Sequence, residues 1–292
     1  MVVELVETTT FFLRTALMYG FLFKKNFCDG WDNLFSVVIT NVLFLFCMVG
    51  VILLSSFVTS HLNTETTTDM AFYLIQTGIL FLGVFIYNIF DFAFGELAQK
   101  IANFDGISFL DFFKRIPGVL LDAFLFSLLS VIIVFISVYS LTFYIIQQQT
   151  LIGFFIGALL FWIDILIILA FQWFVPIRST FHNKFGKCLK KCFIILMDNT
   201  GFSIIMAFYH LLLIALSVLP IGFFPSVAGV SISKHNAFRL RMYKYDYLEE
   251  HPELKTSKER RKIPWEELIY EDRETLGPRK FRSFLFPWKD DK

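Results

Sequence analysis

The residues of this chain that could do chemistry are ionisable side chains inside long apolar stretches. Asp164 and His210 each lie near the middle of such a stretch, about 11 residues or roughly 16 Å of helix from its basic flank. Charge is costly in hydrocarbon, so both are candidates for function. At equal depth they could pair to relay a proton or orient a substrate. The alternatives are a hydrogen-bonded contact between helices, or an aspartic acid that stays protonated.

Two further carboxylates stand nearer the basic flanks of apolar stretches. Asp91 closes the second stretch and Asp122 opens the third. We expect each either to form an ion pair with Lys114 or Arg115, or to reach the membrane interface.

Motifs for catalysis or cofactor binding do not occur in the sequence. It contains no glycine-rich phosphate loop, no His-Glu-x-x-His and no Gly-x-Ser-x-Gly. The four cysteines have no cluster of metal ligands around them and are predicted to be unpaired thiols: Cys28, Cys47, Cys188 and Cys192. The sequence therefore predicts no enzyme, no metal and no cofactor.

The elements that must position these residues are predicted to be membrane-spanning helices. Of 292 residues, 56% are hydrophobic and 17% charged, and the mean hydropathy is +0.64. The apolar residues are concentrated in runs of about 20, the length that a helix needs to cross a bilayer. The predicted spans cover residues 34–58, 71–94, 118–146 and 151–175, then about 200–219 and about 221–238.

The distribution of Lys and Arg predicts the topology. The loops at residues 59–70 and 147–150 contain neither, the loops at 95–117 and 177–192 contain eight, and the chain after Ser233 contains 15 of the 26. Basic loops face the cytoplasm, so both termini are predicted to be cytoplasmic. This requires an even number of crossings and favours six spans over the alternative of five. Lys234 and His235 make the sixth span the weakest.

Three basic, partly apolar segments are predicted to lie at the inner membrane surface as amphipathic helices. They are residues 11–23, residues 108–115 with a capping box from Ser108 to Asp111, and residues 185–197, where Gly201 could bend the chain into the next span. The predicted fold is an all-α membrane protein. It has an interfacial segment at residues 1–33, a helical bundle at 34–242 and a charged cytoplasmic tail at 243–292.

The end of the tail interleaves basic and aromatic residues. Arg279, Lys280, Phe281, Arg282 and Trp288 have the composition of a segment that binds an anionic lipid surface. Packing of the tail on the protein's own cytoplasmic face is the alternative. Glu and Asp dilute the basic residues throughout the tail, which argues against a nucleic-acid partner.

The layout resembles the YesL-like family of bacterial integral membrane proteins, whose molecular function is unknown. The similarity covers about residues 33–242. It rests on Phe109-Leu110-Asp111-Phe112-Phe113-Lys114, on a basic helix running into Asp198-Asn199-Thr200-Gly201, and on Leu219-Pro220 and Phe224-Pro225 before Ala237-Phe238-Arg239. Members are often encoded beside genes for carbohydrate uptake. The resemblance therefore implies an accessory role in transport, but no catalytic residues.

Two functions are favoured by these observations; a third, a membrane enzyme, is supported only by Asp164 and His210. The first is an accessory to, or component of, solute uptake in the bacterial cytoplasmic membrane, with transporter subunits or other membrane proteins as partners. The second is a membrane scaffold or regulator that recruits a cytoplasmic partner through its interfacial helices and tail. Few polar groups lie inside the spans and no internal repeat is obvious, which argues against a permease.

Overall fold

The computed structural model describes residues 2–61, 69–254, 256, 259–261 and 263–279. Within these ranges it is all-helical, with 86% of residues in helices and no strand. The α-helices are α1 Val2–Asp32, α2 Leu34–His61, α3 Asp69–Ala102, α4 Leu110–Leu141, α5 Leu151–Phe171, α6 Phe174–Phe181, α7 Phe185–Asp198, α8 Thr200–Ser217, α9 Ser226–Glu250, α10 Trp265–Leu268 and α11 Tyr270–Leu276.

Five helical segments in the described ranges are long and apolar enough to cross a membrane. They are Leu34–His61, Met70–Ala102, Leu110–Gln147, Leu151–Phe181 and Thr200–Ser217. Each overlaps one of the first five predicted spans, so the prediction of apolar membrane-spanning helices is confirmed at this level. The sixth predicted span, residues 221–238, falls on a turn and the first half of α9, and α9 is not among the five. The count of six stays a prediction.

The third span and the amphipathic segment before it form one helix. Pro117 lies inside α4 without ending it, although its missing N–H removes one intrahelical hydrogen bond. The N–H of Ser108 donates to the Asp111 carboxylate at 3.4 Å, which is half of the predicted capping box. A π-helical turn, Thr142–Gln147, then extends α4 to the loop before α5.

Helix α5 ends before Pro176, the residue predicted to end the fourth span, whereas the candidate membrane-spanning segment Leu151–Phe181 continues through it. The break lies at Gln172 and Trp173, and Pro176 is the third residue of α6. A proline fits there because the first-turn N–H groups of a helix have no intrahelical acceptor. The bend between α7 and α8 likewise falls at Asn199 rather than at Gly201.

Residues 33–235 form one compact unit. In it α2 packs against α3, α3 against α4, and α4 against α5. We call the ends of α2–α5 near His61, Met70, Gln147 and Leu151 the charge-free end, and the opposite ends the basic end. At the basic end Gly95 of α3 lies against Val175 of α6, too close for a Cβ atom.

Residues 1–32 and 236–292 form a second compact unit. Here α10 and α11 pack on α1, burying Trp265, Ile269 and Leu276 of the tail together with Leu22 of α1. The described part of the tail is therefore folded against the protein itself. The division predicted from composition, at residues 33 and 242, stays a prediction.

Candidate functional site

A buried ion pair joins α9 to α3 at the basic end. The Lys234 Nζ lies 2.9 Å from Asp91 Oδ2, and the two side chains are 11% and 5% exposed. Two charges removed from water need each other, because one left alone would carry the full cost of its desolvation. The pair thus fixes the first half of α9 to the second span.

His235, the next residue, is fixed by two contacts. Its Nδ1 lies 2.7 Å from the Ser231 carbonyl oxygen, so the proton belongs on Nδ1. Its Nε2 lies 2.9 Å from the Ser179 hydroxyl, which also lies 3.1 Å from the Pro176 carbonyl oxygen. A serine beside a histidine is also the contact that activates a nucleophile. Here both residues are at most 3% exposed, which leaves no access for a substrate.

Arg178 of α6 is the centre of a second charged group. Its Nε donates to Asp122 on α4 at 2.8 Å, its Nη1 donates to Glu96 on α3, and its Nη2 donates to the Gly118 carbonyl oxygen at 2.8 Å. Arg115 lies 3.9 Å from the other oxygen of Glu96. One guanidinium therefore connects three helices, using the planar array of donors that lysine lacks.

Asn41 of α2 holds the turn between α8 and α9. Its Nδ2 donates to the carbonyl oxygens of Phe223 and Pro225, at 2.9 and 3.0 Å, and its Oδ1 accepts from the N–H of Ala228 at 3.0 Å. The side chain is fully buried. It supplies partners to backbone groups that no helix satisfies, including one N–H in the first turn of α9.

Several buried polar atoms of this unit have no hydrogen-bond partner among the described residues. They are Thr40 Oγ1, Asp91 Oδ1, Gln172 Oε1, Asn183 Nδ2, His210 Nε2 and Ser231 Oγ. Each such atom costs about 1–3 kcal/mol if it stays unpaired. Asp91 and Ser231 belong to the helices joined by the Lys234 ion pair, so the polar interior at the basic end is only partly satisfied.

The predicted pair of Asp164 and His210 does not form. Asp164 is half-buried and accepts a hydrogen bond from Ser137 of α4 at 2.7 Å. The middle of α5 thus turns this carboxylate toward α4 rather than α8. Residues at equal depth in two spans can pair only if the two helices run side by side, as α5 and α8 would have to. The role of either residue in function stays a prediction.

The predicted partners of Asp91 and Asp122 are also corrected. Both carboxylates form ion pairs, as expected, but with Lys234 and Arg178. Lys114 instead pairs with Asp111 three residues earlier. The cations nearest in sequence did not predict the ion-pair partners, because the actual partners, Lys234 and Arg178, lie on later helices.

The second unit has its own buried polar contacts. Lys25 and Asp29 of α1 form an ion pair at 3.0 Å, and the Asn236 amide donates to Asp29 at 2.7 Å. Burial lowers the pKa of Lys25 and raises that of Asp29, and the partner's charge opposes each shift. In the tail, Asp272 accepts hydrogen bonds from Arg239 and Tyr243.

Of the predicted lipid-binding residues, the structure describes one. Arg279 forms an ion pair with Asp32 at 2.5 Å and is about half exposed. Lys280, Phe281, Arg282 and Trp288 lie outside the described residues. The lipid-binding role stays a prediction.

Metal binding and thiol chemistry find no support in the part of the chain that the structure describes. It contains no group of three or more His, Cys, Asp or Glu residues that could hold a metal ion. All four cysteines are free; Cys47 is exposed, and the other three are buried. Burial raises the pKa of the Cys192 thiol, which keeps it protonated and unreactive.

No protein-family model, no curated protein and no solved structure matches the chain. The interpretation of the site therefore rests on its own geometry. That geometry joins helices through buried charges.

Proposed function

We propose that the protein is a non-catalytic accessory of solute uptake in the bacterial cytoplasmic membrane, where its basic end forms a rigid cytoplasmic platform. One observation carries the proposal: every ion pair described in residues 33–235 lies at the basic end of the helices. A permease needs polar groups along the whole path of its solute. A platform needs them where it meets the cytoplasm.

The charge-free end supports this assignment. Its described polar contacts between helices include uncharged hydrogen bonds, such as that of Ser55 on α2 with Gln76 on α3 at 3.1 Å. Large apolar side chains point outward along the same helices, including Phe46, Leu121 and Phe155, each about 70% exposed. Such a surface suits lipid and offers no hydrophilic route.

The proposed orientation follows the distribution of Lys and Arg. The basic end and both termini face the cytoplasm, which requires an even number of crossings. Six was the number predicted from the sequence, whereas the five candidate helices alone would put the termini on opposite sides. Amphipathic segments at the inner surface belong to the same proposal. Carbohydrate as the solute rests on the YesL-like resemblance alone.

A comparison of cells with purified protein tests the accessory role. Deleting the gene should lower the uptake of at least one labelled sugar in cells, and a plasmid copy should restore it. Purified protein in liposomes should not transport that sugar. Transport in liposomes would make the protein a permease, and unchanged uptake of all sugars tested would separate it from uptake altogether.

A scaffold that recruits a cytoplasmic partner is the second candidate, favoured by a groove in the unit of residues 1–32 and 236–292. The groove has a volume of about 750 Å³, and Lys24, Glu266, Arg273 and Glu274 are among its lining residues. Charged walls of both signs suit a polar protein segment. Arg273→Glu should then abolish the cellular phenotype without changing thermal stability, whereas Lys187→Glu, an exposed change in α7, should not.

A further inference from the structure

The first turn of α8 lies beside the basic end of α5. The Trp173 Nε1 donates to Ser203 Oγ at 3.0 Å, and the Gln172 amide donates to the Ser203 carbonyl oxygen at 3.0 Å. Both donors directly follow α5, which is 21 residues or about 32 Å long. The helix α8 therefore starts far from the charge-free end.

The last turn of α8 lies beside the basic half of α2. The N–H of Ser226 donates to Ser217 Oγ at 2.7 Å, and Asn41 holds the turn that follows. Gly222 in that turn sits against Leu45. Leu45 precedes His61 by 16 residues, about 24 Å of helix, so the turn also stops far short of the charge-free end.

The heights of the two ends of α8 can be compared along the axis of α3, because neighbours of both ends contact that helix. Near the first turn of α8, Val175, two residues after Trp173, contacts Gly95 of α3. Near the last turn of α8, Phe44, next to Leu45, contacts Tyr87 and Phe90 of α3. The interval from Tyr87 to Gly95 is about 12 Å of helix, but α8 has 18 residues and is about 27 Å long. If α8 ran parallel to the spans, its two ends would differ in height along α3 by its full length.

We propose that α8 does not cross the membrane but lies across the basic ends of α2–α5, with its outer face inserted among the acyl chains of the adjacent leaflet. Its buried residues, Phe202, Met206, His210 and Ser217, follow one face. The length of α8 matches the width of a row of four helices, which pack about 8–10 Å apart.

Lipid is the partner that the outer face fits. From Thr200 to Leu219 the sequence has no Lys, Arg, Asp or Glu. Phe208 and Leu211 of α8, and Leu219 of the turn, are each more than 60% exposed. The face continues the apolar surface of the spans, and the basic helix α7 precedes it with Lys187 and Lys190 exposed. Apolar side chains beside basic ones are typical of a helix at a membrane interface.

This arrangement also satisfies the charge pattern with four crossings. If α8 and α9 stay on the basic side, α2–α5 alone return the chain to the side from which it started. The polar residues Ser231, Lys234 and His235 then do not have to cross hydrocarbon, which would be costly. A sixth span is not needed to keep both termini on one side.

Spin-label depth in liposomes tests the proposal. Cys47→Ala removes the only exposed cysteine, and single labels are then placed at Ile204, Phe208, Leu211 and Leu219. Accessibility to oxygen and to a water-soluble nickel chelate should put the four labels in lipid, at depths that agree within about 12 Å. Labels at Phe155, Trp162 and Ile168 of α5 are the control. Because α5 crosses the bilayer, the middle label should be the deepest of the three.

Labelling of intact cells supplies an independent readout. A membrane-impermeant maleimide should modify Gln149→Cys in the charge-free loop but not Leu219→Cys. The proposal is overturned if depth along α8 passes through a maximum as it does along α5, or if Leu219→Cys reacts as fast as Gln149→Cys. Free access of the nickel chelate to all four labels between Ile204 and Leu219 would also overturn it, because the face would then lie in water or against a partner rather than in lipid.

Discussion

The charge-free end and the basic end of α2–α5 are held together by different interactions. At the charge-free end, apolar side chains pack between helices or face outward, and the hydrogen bond of Ser55 on α2 with Gln76 on α3 involves no charged group. At the basic end, Arg178 and Lys234 pair with carboxylates of other helices. Apolar contacts are interchangeable, whereas a buried charge needs its own partner. We therefore expect mutations to be tolerated at one end and damaging at the other.

The largest effect is expected at Arg178. Arg178→Met leaves Glu96 and Asp122 without their main cation, so the free energy of unfolding should fall by about 3–5 kcal/mol. Arg178→Lys should recover only part of this loss, because lysine lacks the planar array of donors with which arginine reaches both carboxylates and the Gly118 carbonyl. Denaturant titration in detergent measures the change. Lys187→Met, an exposed substitution in α7, is the control and should have almost no effect.

A smaller loss is expected at Asn41. Asn41→Leu keeps the size of the side chain but removes three hydrogen bonds to the turn and to α9, so the loss should be about 1–3 kcal/mol. The same denaturant titration applies. A loss as small as that of Ser55→Ala at the charge-free end would show that the turn does not depend on Asn41.

The smallest effect is expected at Ser137. Ser137→Ala removes its hydrogen bond to Asp164, and such bonds between membrane helices contribute about 0.6 kcal/mol on average. His210→Phe serves as the matched comparison on α8. If Asp164 bonded to His210 instead, a double-mutant cycle between Asp164→Asn and His210→Phe would show coupling. We expect the two effects to be additive.

The sequence predicts elements well where the information is local. The first four spans were found from apolar runs, and each overlaps one of α2–α5. The errors lie where one residue type was given too much weight. Pro176 can occupy the first turn of a new helix, and the backbone at Asn199 changes direction before Gly201 is reached.

The site was harder to predict because its partners are distant in sequence. Lys234 and Asp91 are 143 residues apart, and Arg178 and Glu96 are 82 apart. Nothing near Asn41 in the sequence marks it as the residue that holds the turn. One signal was present: Lys234 interrupts an apolar segment, and a buried cation requires an anion. This signal did not indicate which carboxylate pairs with Lys234, since the choice depends on how α9 packs.

The coupling energy between Asp91 and Lys234 tests most directly whether buried charge pairs hold the basic end together. Unfolding free energies are measured for Asp91→Leu, Lys234→Met and the double variant, with the exposed pair Asp111 and Lys114 as control. Each single change should cost about 3–5 kcal/mol, and the double variant should recover most of that loss because no unpaired charge remains. The control pair, which is screened by solvent, should show almost no coupling. Additive losses at Asp91 and Lys234 would contradict the account.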